Sequence, residues 1–216
     1  MKMSDAILKE NGKLYTLNLT PHNKVYGEKL VKKDNKEYRE WDPTRSKLAA
    51  AILSGLSKNP IKKGKKILYL GASTGTTVSH ISDIVKDTGL IYAVELAERV
   101  IRKLVNLSDK RDNIVPLLKD ARKTDEYNWL EECDILYVDI AQSDQTQIAI
   151  RNALKFLKPD GHLMLSVKSQ SIDVTKNPKQ VFKEEKEKLE DAGFSVKELI
   201  NIEKYEKGHC FIMAKK

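Results

Sequence analysis

Only two cysteines, Cys133 and Cys210, occur in this 216-residue chain. They form no C-x-x-C pair, so neither a zinc site nor a disulfide framework is expected, and a reducing cytoplasm fits. No run approaches the roughly 18 apolar residues of a membrane span, and the opening MKMSDAILKENGK lacks an apolar signal core. A membrane partner is therefore not expected. The ten glycines build neither G-x-G-x-x-G nor a Walker Gly-Lys-Ser/Thr, which argues against a pyrophosphate-binding loop. There is no RNP aromatic signature, no G-x-x-G clamp and no zinc knuckle, so no module for reading nucleic-acid bases is evident. Internal repeats and low-complexity tails are also missing.

Charge, by contrast, is plentiful. Charged residues make up 32% of the chain and the net charge is +8. Lysine dominates the basic side, which fits a thermophilic surface or simply a soluble one. The charge is unevenly placed. Residues 1–66 carry sixteen basic and seven acidic side chains, and the remainder is nearly balanced. A local basic field attracts polyanions, nucleic acid first among them, although lysines also serve solubility.

Residues 1–41 alternate short apolar stretches with turn signals. Strands are expected at 14–19, 24–31 and 36–41, with turns at Pro21–Asn23 and Lys33–Asn35. Helical periodicity follows over 44–56, and Asn59-Pro60 ends it. From residue 67 the pattern is β-α-β. Strands are expected at 67–71, 90–96, 113–120, 133–140 and 162–168, and helices at 76–86, 98–107, 146–157 and 179–192. A hairpin-like pair over 194–205 and 209–215 closes the pattern. The expected fold is α/β, Rossmann-like, with a mostly parallel seven-stranded sheet and a small N-terminal antiparallel β domain. The small β domain with its linking helix is assigned to 1–55, and the larger domain to 56–216.

In such folds ligands bind beyond the C-terminal strand ends. The first of these strands runs into Gly71-Ala72-Ser73-Thr74-Gly75-Thr76-Thr77, either a close-approach loop for a ligand or a plain tight turn. Glu95 ends the second, 24 residues after Gly71. An acid there can hold the two ribose hydroxyls of a nucleoside, or simply start a helix. Asp120-Ala121 follows the third, where an acid can face an adenine amino group. Asp139-Ile140-Ala141-Gln142 follows the fourth. Acids after three successive strands suit a cationic nucleoside better than a dinucleotide. Lys168 ends the fifth, as a crevice group or a snorkelling surface lysine. His209 opens the last strand, where a single histidine is usually structural or exposed, and His22, His80 and His162 are read in that same way.

These segments together resemble the fibrillarin family over nearly the whole chain. The most specific block is Arg39-Glu40-Trp41-Asp42-Pro43-Thr44-Arg45-Ser46-Lys47-Leu48-Ala49-Ala50-Ala51-Ile52. GASTGTTVSH (71–80), YAVE (92–95), DAR (120–122), YVDIAQ (137–142), Lys168 and His209 also match. Leu96-Ala97-Glu98 departs from the aromatic-Ser-Pro usual there. The Gly/Arg-rich tail of eukaryotic members is absent, which implies an archaeal form acting in the cytoplasm.

The resemblance implies an S-adenosylmethionine-dependent enzyme that methylates ribose 2′-hydroxyls of rRNA and tRNA within a box C/D ribonucleoprotein. Implied partners are a Nop-type scaffold protein, a kink-turn-binding ribosomal-type protein, guide RNA and the target RNA. The implied catalytic set is Lys47, Asp139, Lys168 and His209. Implied cofactor contacts are Gly71, Ala72, Thr76, Thr77, Glu95, Leu96, Asp120, Ala121, Asp139, Ile140, Ala141 and Gln142. Which group takes the hydroxyl proton stays open, because Lys47 and a sulfonium would lower the Lys168 pKa and Asp139 would raise it. A nicotinamide oxidoreductase and a non-catalytic RNA-binding scaffold are the rival classes.

Overall fold

A computed structural model describes residues 6–216 of the chain. The small N-terminal sheet holds β1 (Ile7–Glu10), β2 (Lys13–Leu17), β3 (Leu30–Lys33) and β4 (Lys36–Trp41), all antiparallel in the order β1-β2-β4-β3. β1 was not expected from the sequence. The signal was Asn11-Gly12, where both residues have positive φ (49° and 75°), the geometry of a two-residue hairpin turn. Asp34-Asn35 turns β3 into β4 in the same way. The strand expected over 24–31 shrinks to Leu30–Lys33. The Glu28 carboxylate accepts the backbone N–H groups of Val25 (3.0 Å) and Tyr26 (2.8 Å), which folds that segment into a loop.

Helix α1 (Lys47–Leu53) begins later than its periodicity suggested. Asp42 Oδ1 accepts both the N–H and the hydroxyl of Thr44, so residues 42–45 form a turn. Ser46 then caps the helix, accepting the Ala49 N–H. Leu48, Ala49, Ala50 and Ala51 are fully buried; three alanines in a row let the helix press close against the sheet below.

The larger sheet contains β5 (Lys66–Leu70), β6 (Leu90–Glu95), β7 (Ile114–Leu118), β8 (Cys133–Val138), β9 (Leu157–Lys168), β10 (Ser195–Asn201) and β11 (His209–Lys215). Its order is β10-β11-β9-β8-β5-β6-β7, and only the β11 pairings are antiparallel. This is the expected mostly parallel seven-stranded sheet. Helices α2 (Thr76–Val85) and α3 (Glu98–Ser108) share one core with α1. Helix α4 (Gln145–Phe156) packs on the other face, as do α5 (Ser169–Ile172) and α6 (Pro178–Asp191). The order reverses at β5, which pairs with both β6 and β8. A crevice opens at such a reversal because the following helices leave on opposite faces.

One carboxylate joins the two sheets. Asp83 on α2 is 1% exposed. Its Oδ1 accepts Arg111 Nη1 (2.7 Å) and the Leu19 N–H (3.0 Å). Its Oδ2 accepts Arg39 Nη1 (2.8 Å) and the Thr16 hydroxyl (2.7 Å). Arg39 also donates from Nε to Glu28 (2.6 Å), so two buried guanidinium groups face two carboxylates. His80, on the same face of α2, meets Thr16 at Nδ1 (2.7 Å) and Tyr26 at Nε2 (2.8 Å) and stacks on Trp41 at 4.9 Å. The structural reading of His80 holds. Burial, with Arg39 and Arg111 adding to it, pushes its pKa well below the usual value.

Two outcomes are expected. Asp83→Asn should cost about 3–5 kcal/mol in urea unfolding, since it leaves two buried guanidinium groups short of a counter-charge; a loss under about 1 kcal/mol would refute the role given to it. The second concerns pH. Unfolded His80 protonates near 6.5, while the folded residue resists protonation, so its contribution to stability is intact above pH 6.5 and falls below it. The fall should approach about 1.4 kcal/mol per pH unit from this residue alone. Unfolding free energies between pH 7 and 5 should therefore fall less steeply in His80→Gln than in the parent.

Candidate active site

Gly71 sits where two strand ends nearly touch. Its φ is +82°, and a Cβ there would lie 2.2 Å from the Asp139 carbonyl oxygen and 2.8 Å from the Ile140 side chain. The close approach is held by hydrogen bonds: Gly71 and Ala72 donate to the Val94 carbonyl, and Asp139 donates to that of Leu70. Only a residue without a side chain fits between these backbones.

A cavity of about 540 Å³ opens beyond this contact. Of the candidate residues, Gly71, Glu95, Leu96, Asp120, Ala121, Asp139, Ile140, Ala141 and Gln142 line it. Glu95 bridges two loops, accepting the N–H of Ser73 (2.8 Å) and of Ala97 (2.8 Å). Leu96 is 57% exposed, an apolar face left open at the rim. The acids of this cavity greatly exceed its free cations. Arg122 is committed to Asp144 through Nε (2.9 Å) and Nη2 (2.6 Å), and Lys119 pairs with Glu126 at 3.5 Å. The donor set thus favours a ligand with ribose hydroxyls, a flat apolar ring and positive charge.

Asp139 belongs to a second group as well. Strand alternation places Lys168 and His209 on the sheet face that carries Met164 and Phe211, the face covered by α1. The two residues are direct partners across the β9–β11 ladder. Lys47 is the first residue of α1, and its ammonium lies 3.3 Å from Asp139 Oδ1. Burial raises the Asp139 pKa above the usual carboxylate value; Lys47 opposes that shift, and His209 opposes it more weakly. His209 Nδ1 donates to the Lys207 carbonyl (2.8 Å), which fixes the orientation of the ring. Lys168 has no carboxylate within ion-pair distance among the described residues, so its ammonium is uncommitted.

Ala72, Thr76 and Thr77 do not line the cavity. Ala72 is buried in the core. Thr76 faces a separate groove beside α3. Thr77 is buried, and its hydroxyl donates to Ser46 Oγ at 3.0 Å. It therefore tethers the cap that starts α1 and so places Lys47. Sequence reasoning passed over Ser73, Ala97, Lys119 and Arg122. Their loops were singled out, but a backbone N–H or a clamping guanidinium leaves no mark in residue type.

An open, mostly parallel seven-stranded sheet with one antiparallel strand inserted near its edge, and an acid-lined nucleoside crevice at the β5 reversal, defines the Rossmann-like S-adenosylmethionine-dependent methyltransferase class. Within that class the family sequence model described as Fibrillarin matches residues 4–216. A fibrillarin-like rRNA/tRNA 2′-O-methyltransferase of Saccharolobus solfataricus is 52% identical over 204 residues, covering 94% of this chain and 88% of the relative. The crystal structure of Aeropyrum pernix fibrillarin with natively bound S-adenosyl-L-methionine is 45% identical, with a TM-score of 0.87 over 94% of this chain and 88% of that one. A fibrillarin from a fibrillarin/Nop5p complex is 40% identical, with a TM-score of 0.90 over 99% of both chains. The chain belongs to the fibrillarin family.

Gly71→Ala tests the strand contact. The new methyl must displace Asp139 and also bear a positive φ, so the variant should lose about 2 kcal/mol or more of stability. Its Lys47–Asp139 pair should loosen in a crystal structure. An unchanged Asp139 position at full stability would show that the contact is not tight.

Proposed function

We propose that this chain transfers a methyl group from S-adenosylmethionine to ribose 2′-hydroxyls of rRNA and tRNA, as the catalytic subunit of a box C/D ribonucleoprotein. The observation that carries the reading is that Asp139 both lines the acid-rich crevice and pairs with Lys47 of the Lys47–Lys168–His209 corner, an arrangement that supports a methyl donor site beside an acceptor site. The names of the relatives and the cofactor bound to the Aeropyrum protein support it. A dehydrogenase is disfavoured by the acid-rich crevice and by the missing pyrophosphate loop.

The crevice residues fit the cofactor. Glu95 would hold the ribose hydroxyls, Asp120 and Ala121 would meet the adenine edge, and Leu96 and Ile140 would flank the ring. When bound, the cofactor supplies an electrophilic methyl group on a cationic sulfur. Everything else falls to the protein. A neutral ribose hydroxyl is a weak nucleophile, so orientation and control of its proton carry much of the rate. Asp139 is held in place by Lys47 and would offer a carboxylate to a cationic cofactor. Lys168, with no carboxylate of its own, meets the 2′-hydroxyl and steers its proton. His209, fixed by its bond to Lys207 and paired with Lys168 across the β9–β11 ladder, orients Lys47 or the substrate.

Selectivity is assigned to the assembly. A Nop-type scaffold partner is supported by the fibrillarin/Nop5p complex. Guide RNA and the target RNA are included because this chain presents no base-reading element, and phosphate contacts carry no sequence information; a kink-turn-binding ribosomal-type protein is included because the family resemblance implies it. The test is transfer of labelled methyl to one target RNA, with and without guide RNA and scaffold. Site-specific methylation only in their presence is the expected result; efficient methylation by the chain alone would overturn the guided reading.

Two variants separate binding from chemistry. Glu95→Ala should weaken S-adenosylmethionine binding by about 1–3 kcal/mol, measured by titration calorimetry. Lys168→Met should keep that affinity and lose most single-turnover methyl transfer, because its role lies in the transition state. Near-parent rates in the folded Lys168 variant would remove it from the catalytic set.

A further inference from the structure

A second concave surface, which shares no lining residue with the crevice, lies between the loop after β2 and α3. It has a volume of about 420 Å³ and is lined by Lys24, Arg45, Lys103, Lys110 and Arg111, among uncharged residues. Among the described residues no carboxylate lines it. Lys24, Arg45, Lys103 and Lys110 are exposed, and none of these four has a carboxylate within ion-pair distance among the described residues. Lys110 reaches only the amide oxygen of Asn23 (3.4 Å), and Arg45 rests over the Tyr26 ring at 4.9 Å. Arg111 is 2% exposed and tied to Asp83, yet its Nε has no hydrogen-bond partner.

This separates the groove from the other lysine-rich concavity. The cavity of about 1030 Å³ that includes Leu56, Pro60 and Met213 is larger, but carboxylates stand among its lysines: Lys65 and Lys158 pair with Asp134, Lys215 pairs with Asp160, and Glu198 also lines it. Four clustered, unneutralised cations repel one another, and an external anion relieves that repulsion. Along the chain the groove also neighbours the candidate catalytic corner. Arg45 precedes Lys47 by two residues, and Thr74 and Thr76, at the start of α2, line its wall.

We propose that this groove is a secondary RNA site that holds phosphates of a single-stranded segment running toward the catalytic corner. The inference rests on the reading of RNA as substrate and adds where its backbone is gripped. Lys24 and Arg45 come from the small domain, Lys103 comes from α3 and Lys110 from the turn that follows it. The contact therefore needs both parts of the chain in register. Side chains with hydrogen-bonding capacity, Thr20, Asn23, Thr74, Thr76 and Asn106, fill the spaces between the charges. That pattern suits phosphate and sugar oxygens and offers no broad apolar face for a membrane.

The experiment measures binding of the full chain to a labelled single-stranded RNA of about twelve nucleotides by fluorescence anisotropy, from about 50 to 200 mM salt. The double variant Lys103→Gln/Lys110→Gln is set against Lys62→Gln/Lys63→Gln, which removes the same charge elsewhere. The groove variant should bind several-fold more weakly at low salt. Its log–log salt slope should shrink by about 1.4, at about 0.7 per phosphate contact. The control should stay near the parent. Calorimetry should show unchanged S-adenosylmethionine affinity in both, which reports intact folding. Equal losses in the two variants, no loss in the groove variant, or no RNA binding by the parent would overturn the proposal. If the groove variant keeps RNA but loses an acidic protein partner, the groove belongs to that partner. Failure of labelled methyl transfer in the assembled particle would instead count against the proposed function, because the anisotropy result does not depend on turnover.

Discussion

The Asp83 carboxylate is the constraint on which the arrangement depends. A buried anion of this kind is tolerated only when its lone pairs are met by donors, and here donors arrive from β2, β4, the loop after β2 and the segment before β7. The two guanidinium groups and two carboxylates of the network balance one another without help from solvent. Such a site does little for net stability compared with apolar packing, but it penalises every misplacement of its members. The small sheet is thereby fixed in one orientation on α2. Because β4 runs directly through a short turn into α1, fixing β4 also fixes Lys47. A cluster far from the reactive corner thus sets the position of one of its ammonium groups.

A second constraint works at closer range. The backbone of Gly71 passes so near Asp139 that the loop after β5 and the loop after β8 cannot move independently. Glu95 adds a third loop by accepting N–H groups from either side of the crevice. Arg122 binds Asp144 and Gln142 and closes the far wall. The crevice is therefore built mainly from backbone contacts and carboxylate clamps. This explains why its shape survives with so few large side chains in the lining. Thr77 shows the same economy: one hydroxyl, bonded to Ser46, ties the start of α2 to the cap of α1.

Continuous apolar runs marked the parallel strands well, because a strand buried on both faces has no polar face to alternate with. ILYL, IYAV and DILYV lie within a residue or two of their expected ends. The reading failed where a side chain overrode the pattern. Glu28 bent an expected strand into a loop, and Asp42 delayed the start of α1. β1 was missed although Asn11-Gly12 announced it. The candidate site was legible wherever a residue type carries chemistry at a strand end, as with Glu95, Asp120, Asp139 and Lys168. Thr77 was legible as a residue of interest but not by the contact it makes.

Sequence alone determined the strand and helix order, the mostly parallel sheet, the crevice end of that sheet and the acids that line it. These follow from local periodicity and from the rule that strand ends meet at the order reversal. Tertiary structure alone decided which charges are spent internally and which are free. Arg39 and Arg111 read as ordinary basic residues, yet burial commits both to Asp83. Lys24 and Arg45 belong to the same basic first third, yet they stand beside Lys103 and Lys110 with no carboxylate among them. Electrostatic pairing depends on distance in space, and side chains many tens of residues apart in sequence become neighbours only once the chain has folded.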